Sequence, residues 1–266
     1  MRSSLTREKV EKLEGDLGCH ALDKKDMPDI HALWSDYARQ FNCCGVRHPH
    51  IWNDWLGGVV KLDAGKEAPK FVGAFGDSGL EGYSTWGMTE EEPFTPHLTE
   101  VVYRSKKALA SLLKFVLDAV PSAGQVGWDS AMTQAGQFLD EESREVSRKV
   151  ESGHMARVIS PEAFLTSIPW IDSAEGKLHI NLTDPVFGES SITVEVSEGI
   201  CRAASGTGGL NLDNTVQVFT QIATGYLSPE EAVRLGRVEN GQIKAARLLS
   251  GASGGRTPMR SYKEPG

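Results

Sequence analysis

The sequence predicts a two-domain protein of mixed class, an α/β layer followed by an α+β domain. Three observations carry that expectation. Two helical patterns precede a meander of strands and a strand-helix-strand unit; a polar, charged tract interrupts the pattern at residues 133–153; and beyond it alternating strands give way to helices. The tract marks a boundary, placing the domains at 1–150 and 151–266.

After a polar lead-in, "LGCHAL" (17–22) reads as a short strand. In "DKKDMPDIHALWSDYARQF", Asp26 is a candidate N-cap, Pro28 sits in the first turn, and Ile30, Leu33, Trp34, Tyr37 and Phe41 form one apolar stripe at helical spacing. "HPHIWNDWLGGVV" (48–60) repeats that pattern. "KFVGAF" (70–75), the turn "GDSG" and "LEGYSTWGM" (80–88) form a hairpin signature. "HLTEVVY" (97–103) is a strand, "SKKALASLLKFVLDAV" (105–120) an amphipathic helix ended by Pro121, and "GQVGWDS" (124–130) a return to the sheet.

In the second half "HMARVIS" (154–160) reads as a strand and "PEAFLTSI" (161–168) as a short helix. "KLHINLTD" (177–184), "SSITVEVSE" (190–198) and "GICRAAS" (199–205) alternate as half-buried strands do. A brief strand, a helix from about 213 and a second helix opened by Ser228-Pro229-Glu230-Glu231 follow; Ser228 with Glu231 is a capping-box pattern. "GASGGRTPMRSYKEPG" reads as an extended tail.

Lys and Arg number 28 against 36 Asp and Glu, a net charge of −8, which argues against nucleic-acid binding and is compatible with cationic substrates such as amines. The polar start "MRSSLTREKVEKLEGD" lacks the apolar core of a signal peptide, and the longest nearly apolar run contains Lys114 and Asp118, so no membrane partner and a cytoplasmic location are expected. Cys19, Cys43, Cys44 and Cys201 show no metal-ligand spacing and read as reduced thiols.

Candidate chemistry is sparse. The strand-helix junction "YRSKKAL" has the shape that holds phosphates, but no glycine lies between Val102 and Leu109 to let backbone N–H groups approach a pyrophosphate. No cofactor-binding residue is therefore assigned. His48 and His50, with Asp54 beyond them, flank a proline at a helix start and read as surface or capping residues, so no metal site is assigned. Glu100 lies in a strand, as a general base or as a solvent-facing member of the alternation; Arg47, among apolar and aromatic neighbours, reads as a structural guanidinium. Trp34, Tyr37, Trp52, Trp55 and Trp86 form the expected first core. Phe164, Ile180, Leu182, Ile192, Val194, Phe219, Ile222 and Tyr226 form either a second core or an apolar ligand cavity.

The series "ALWSDYARQFNCCGVRHPHIWNDWL", "GLEGYSTWGM" and "LTEVVYRSKKALASLLKFVLDA" resembles the central domain of the enhanced-intracellular-survival (Eis-like) acetyltransferases of the GNAT superfamily. "HMARVISPEAFL", "LNLDNTVQVFTQIATGYLSPEEAVRLGRV" and "TPMRSY" resemble the sterol-carrier-protein-like domain that closes those enzymes. The resemblance implies a GNAT-like mixed sheet without its cofactor junction, then a sterol-carrier-like α+β domain, the acetyl-CoA-binding domain being absent from this chain. It also implies acetyl transfer to an amine, with acetyl-CoA supplied by a missing domain or partner and otherwise no cofactor. In that family the terminal carboxylate reaches an active site, which makes Tyr262 and the Gly266 terminus the catalytic candidates; "KEPG" places the carboxylate beyond the aromatic residue at which the family tends to end. The chain is then expected to be incompetent alone and to form a homo-oligomer or join a partner acetyltransferase domain. The alternative is a non-catalytic protein holding an apolar small molecule or lipid in its second domain.

Overall fold

A computed structural model describes residues 2–42, 47, 50, 52, 71–89, 94–129, 147–149, 156–256 and 258. Contacts divide the chain into two units, one drawn from Met1–Gln40 and Cys44–Gly153 and the other from Phe41–Cys43 and His154–Met259.

In the first unit the elements run β1 (Arg2–Thr6), α1 (Arg7–Lys12), β2 (Gly18–Ala21), α2 (Met27–Ala38), β3 (Phe71–Gly76), β4 (Gly79–Met88), β5 (Pro96–Tyr103), α3 (Lys106–Asp118), β6 (Gln125–Asp129) and β7 (Ser147–Lys149). The described strands form one mixed sheet in the order β2-β3-β4-β5-β6-β1-β7. The hairpin expected around "GDSG" is present, antiparallel from Phe71↔Thr85 to Gly76↔Gly79. By contrast β5 and β6 are parallel, as a strand-helix-strand crossover requires, and pair at His97↔Gly127 and Leu98↔Trp128.

Helix α3 forms because its apolar residues recur on one face: Leu109, Leu112, Leu113, Val116 and Leu117 are all buried against the sheet. Its C-terminal end and the turn that follows are met by Arg7: Nη2 donates to Leu117 O (2.8 Å) and Val120 O (2.9 Å), and Nε to Ala123 O (2.9 Å). The segment before β2 lies directly on the middle of the helix. Leu17 N donates to Ser111 Oγ (3.1 Å), and Lys114 Nζ to Leu13 O (2.6 Å).

Strand β1 and helix α1 correct the polar lead-in expected there. "RSSLT" carries a single large apolar residue, Leu5, so no periodicity announces a strand; pairing with β6 and β7 supplies what the local sequence lacks. Trp34, Tyr37, Trp52 and Trp86 are buried as expected, while Trp55 lies outside the described residues.

The second unit contains α4 (Pro161–Ser167), β8 (Gly176–Asp184), β9 (Gly188–Ser197), β10 (Ile200–Ala203), β11 (Leu210–Thr215), α5 (Val216–Ala223), α6 (Pro229–Arg234) and α7 (Ile243–Ser250). Its sheet has the order β10-β9-β8-β11, antiparallel except for the parallel pair β8 and β11. The tight β8–β9 turn is held by Asp184 Oδ1, which accepts from Val186 N (2.8 Å) and Phe187 N (3.2 Å). Leu178, Ile180, Leu182, Val194, Val196, Leu212, Phe219, Ile222, Ala246 and Leu249 close one continuous core. Among the eight residues that could have enclosed an apolar ligand, seven belong to this core or pack against it, and Tyr226 is exposed.

Three local expectations are corrected. Residues 156–160 form no strand; Val158 N donates to Thr220 Oγ1 (3.2 Å) rather than to a neighbouring strand. Helix α5 begins at Val216, because Leu210–Thr215 extends as β11 beside β8 and Thr215 Oγ1 then caps the helix through Val218 N. The stretch after Ser250 is not extended at its start. Gly251–Ser253 is a buried turn of 3-10 helix, and Asn42 Nδ2 donates to Thr224 O (2.9 Å), Ser253 O (2.8 Å) and Arg256 O (3.0 Å).

At Gly15 the chain runs against the backbone of α3: a Cβ there would stand 2.6 Å from Ser111 N. Gly15→Ala is therefore expected to destabilise the first unit by roughly 1–3 kcal/mol, as overpacking does, read as a lower urea midpoint at unchanged m-value.

Candidate functional site

Three places in the fold bring polar chemistry together. The first is buried in the first unit. Glu100 projects from β5 and meets the Arg47 guanidinium in a two-pronged pair, Nη1 to Oε1 at 3.0 Å and Nη2 to Oε2 at 2.6 Å, with side-chain exposures of only 3% for Arg47 and 4% for Glu100. Tyr83, from β4, donates its hydroxyl to Oε1 (2.8 Å). The guanidinium carbon sits 3.8 Å from the Trp34 ring centroid and 4.7 Å from that of Trp52, so the cation is also held by aromatic faces. Arg47 is thus the structural guanidinium its neighbours suggested. Glu100 faces inward rather than solvent, and burial with both oxygens engaged places it poorly for taking a proton from a substrate. Burial first, then the Glu100 charge, raises the Tyr83 phenol well above its ordinary value and keeps it a neutral donor.

The second place is the start of α3, where the strand-helix junction invited a phosphate. Ser105 caps the helix, its Oγ accepting from Ala108 N (3.1 Å) and donating to Glu81 Oε2 (3.1 Å). A carboxylate of the protein itself thus stands at the helix start. Two of the junction's three cations are paired as well: Arg104 Nη2 lies 3.0 Å from Asp36 Oδ2, and Lys107 Nζ lies 2.7 Å from Asp16 Oδ1. The bond from Lys107 holds the Asp16 carboxyl below its ordinary value.

The third is a depression of about 380 Å³ on the second unit's sheet, lined by Asn181, Leu182, Thr183, Glu189, Ser190, Ser191, Asp213 and Asn214. Polar side chains predominate in its lining, unlike the apolar cavity a lipid would need. Hydrogen bonds fix it: Ser191 Oγ donates to Asn181 Oδ1 (2.9 Å), Asn181 Nδ2 to Asp213 Oδ1 (2.6 Å) and Gln242 Nε2 to Asp213 Oδ2 (2.8 Å).

Tyr262 and Gly266, the catalytic candidates, lie outside the described residues, as do His48, Asp54, Cys43 and Cys44. No group of His, Cys, Asp or Glu with metal-holding geometry occurs among the described residues. Burial pushes the Cys19 and Cys201 thiols up to about 11, so both are poor nucleophiles. No described helix is long and apolar enough to cross a membrane. Sequence reasoning missed Glu81 and the polar ladder around His179, because each acts through a partner remote in sequence.

Residues 44–158 match the acetyltransferase (GNAT) domain family, and residues 161–261 match the sterol carrier protein domain family. The chain therefore has a GNAT-type fold followed by a sterol-carrier-like fold. A GCN5-related N-acetyltransferase from Anabaena variabilis ATCC 29413 shares 16% identity with a TM-score of 0.75, over 97% of this chain and 65% of that one. One from Kribbella flavida shares 18% identity (TM-score 0.67, 97% and 63%), and Eis1 from Mycobacterium abscessus shares 18% (TM-score 0.65, 93% and 63%). At these identities the likeness shows the fold, and this chain spans less than two thirds of the length of each. No curated protein matches the sequence.

GNAT domains in general use acetyl-CoA, yet the start of α3 does not fit that cofactor's diphosphate. The Glu81 carboxylate is bonded to the cap hydroxyl at that helix start, and its like charge disfavours a second anion there.

The buried pair sets two expectations. Arg47→Met or Glu100→Leu alone should cost about 3–5 kcal/mol by stranding a charge, while the double variant recovers most of the loss; urea denaturation of all four forms closes the cycle. Because the Tyr83 pKa is raised in the fold, the unfolded chain loses that proton first. Stability is then full below pH 10 and falls as pH rises beyond it, with a shallower alkaline slope in Tyr83→Phe, measured by denaturation at stepped pH.

Proposed function

We propose that the chain is part or relative of an Eis-like N-acetyltransferase, transferring acetyl from acetyl-CoA to an amine. It supplies a GNAT-like layer without a cofactor site and a sterol-carrier-type domain, and a further domain or partner holds acetyl-CoA. The observation that carries this reading is Glu81 at the start of α3, an internal anion where the cofactor's diphosphate belongs. The greater length of the similar solved structures supports it.

An amine attacks a thioester only when neutral, so the complete site needs a proton acceptor and, for the departing thiolate, a donor. Glu100 is already bonded to Arg47 and Tyr83, which turns the reading to Tyr262 and the Gly266 carboxylate for those roles. The same proposal makes the partner a separate acetyltransferase domain or a second copy of the chain, in a cytoplasmic setting. The alternative, a carrier of apolar molecules, is disfavoured by the filled core of the second unit.

Calorimetric titration of this chain with acetyl-CoA is expected to give no binding heat, and amine acetylation assays no release of free thiol. Micromolar binding at one site per chain would overturn the proposal.

A further inference from the structure

The solvent side of the second unit's sheet carries a nucleophile and base that acetyl transfer does not use. His179, on β8, stands between two hydroxyls of β9: its Nδ1 is 2.8 Å from Thr193 Oγ1 and its Nε2 is 3.2 Å from Ser191 Oγ. Proton bookkeeping fixes the imidazole. The buried Thr193 hydroxyl donates its one proton to Gly206 O (2.8 Å), so towards His179 it can only accept. In the neutral ring Nδ1 therefore carries the hydrogen, and Nε2 presents a lone pair to Ser191. The Ser191 proton has two acceptors, Asn181 Oδ1 at 2.9 Å and His179 Nε2 at 3.2 Å; turning the hydroxyl from the first to the second gives the reactive arrangement. This is a nucleophile, a base and a group that orients the base, each within hydrogen-bond reach.

We propose that Ser191 is an acyl-accepting nucleophile, activated by His179, at the edge of the 380 Å³ depression. In the step, Ser191 Oγ bonds to the carbonyl carbon of an ester while His179 Nε2 takes the hydroxyl proton. The bond from that carbon to the leaving oxygen breaks, and the departing alkoxide receives the proton from His179. Water, deprotonated by the same nitrogen, then releases the acyl group as its acid and restores Ser191. Asn181 Nδ2 commits one N–H to Asp213; its second has no partner among the described residues and can donate to the carbonyl oxygen. Glu189 and Asp213 make the depression acidic, so the substrates are small esters that are neutral or cationic, and acyl-CoA, with its phosphates, is disfavoured.

The test uses the full chain with p-nitrophenyl acetate. A burst of nitrophenolate approaching one equivalent, with one acetyl adduct mapped to Ser191 by peptide mass spectrometry, is the expected result. Ser191→Ala, at an exposed position where folding is undemanding and checked by circular dichroism, should lose both burst and adduct. His179→Gln should slow acylation about a hundredfold, the scale of a lost general base. Thr193 is a positioning residue: Thr193→Val should slow acylation and Thr193→Ser restore it. No adduct on Ser191, or an equal burst from folded Ser191→Ala, overturns the proposal. Neither result bears on acetyl-CoA binding, so this inference and the proposed function fail separately.

Discussion

The first unit is organised around one buried ion pair. Taking a guanidinium and a carboxylate out of water costs several kcal/mol each, and that penalty is offset only where the remaining hydrogen-bonding capacity is met. Here a two-pronged geometry, the Tyr83 hydroxyl and two indole faces meet it. Each partner comes from a different stretch of chain: α2 gives Trp34, β4 gives Tyr83 and β5 gives Glu100. An alternative packing of those segments would strand a charge in a medium of low dielectric. The pair also consumes the strand carboxylate, leaving it engaged with Arg47 and Tyr83.

The same logic of self-satisfaction recurs at α3. A helix start attracts anions, and this one is met by Ser105 and Glu81, while Asp36 and Asp16 pair with the adjacent cations. The second unit turns its chemistry outward. Leu178, Ile180 and Leu182 of β8 point into a closed core, and the alternate residues, His179, Asn181 and Thr183, line the other side of the strand. The two-residue period of a strand thus separates the residues that hold the fold from those free to react.

Much of the fold was legible in the sequence because its signals are local. The β3–β4 hairpin, α3 and the Ser228 cap follow from turn residues, periodicity and a side chain reaching its own helix, and the structure contains all three. The capping box at Ser228 is half realised: Ser228 accepts from Glu231 N, but the Glu231 carboxylate turns to Arg234. What stayed hidden depends on distant partners. β1 is a strand only because β6 and β7 flank it, and Glu100 is buried only because Arg47 arrives from 53 residues away. The glycine-free junction before α3 was readable as a poor phosphate site, while the carboxylate standing there, from β4, was not.

The place of β1 between β6 and β7 has a consequence for biosynthesis. Residues 2–6 leave the ribosome first among the described strands, yet their partners, residues 125–129 and 147–149, emerge more than a hundred residues later. Until then the strand has both edges unsatisfied, and the loop that closes it is nearly as long as the unit itself. Only β3 to β5 can assemble through short connections as the chain elongates, so the last registers of this sheet are set after translation of the whole first unit. The window in which a nascent chain could be captured by a chaperone, or pair wrongly with a neighbour on the same messenger, is built into that strand order.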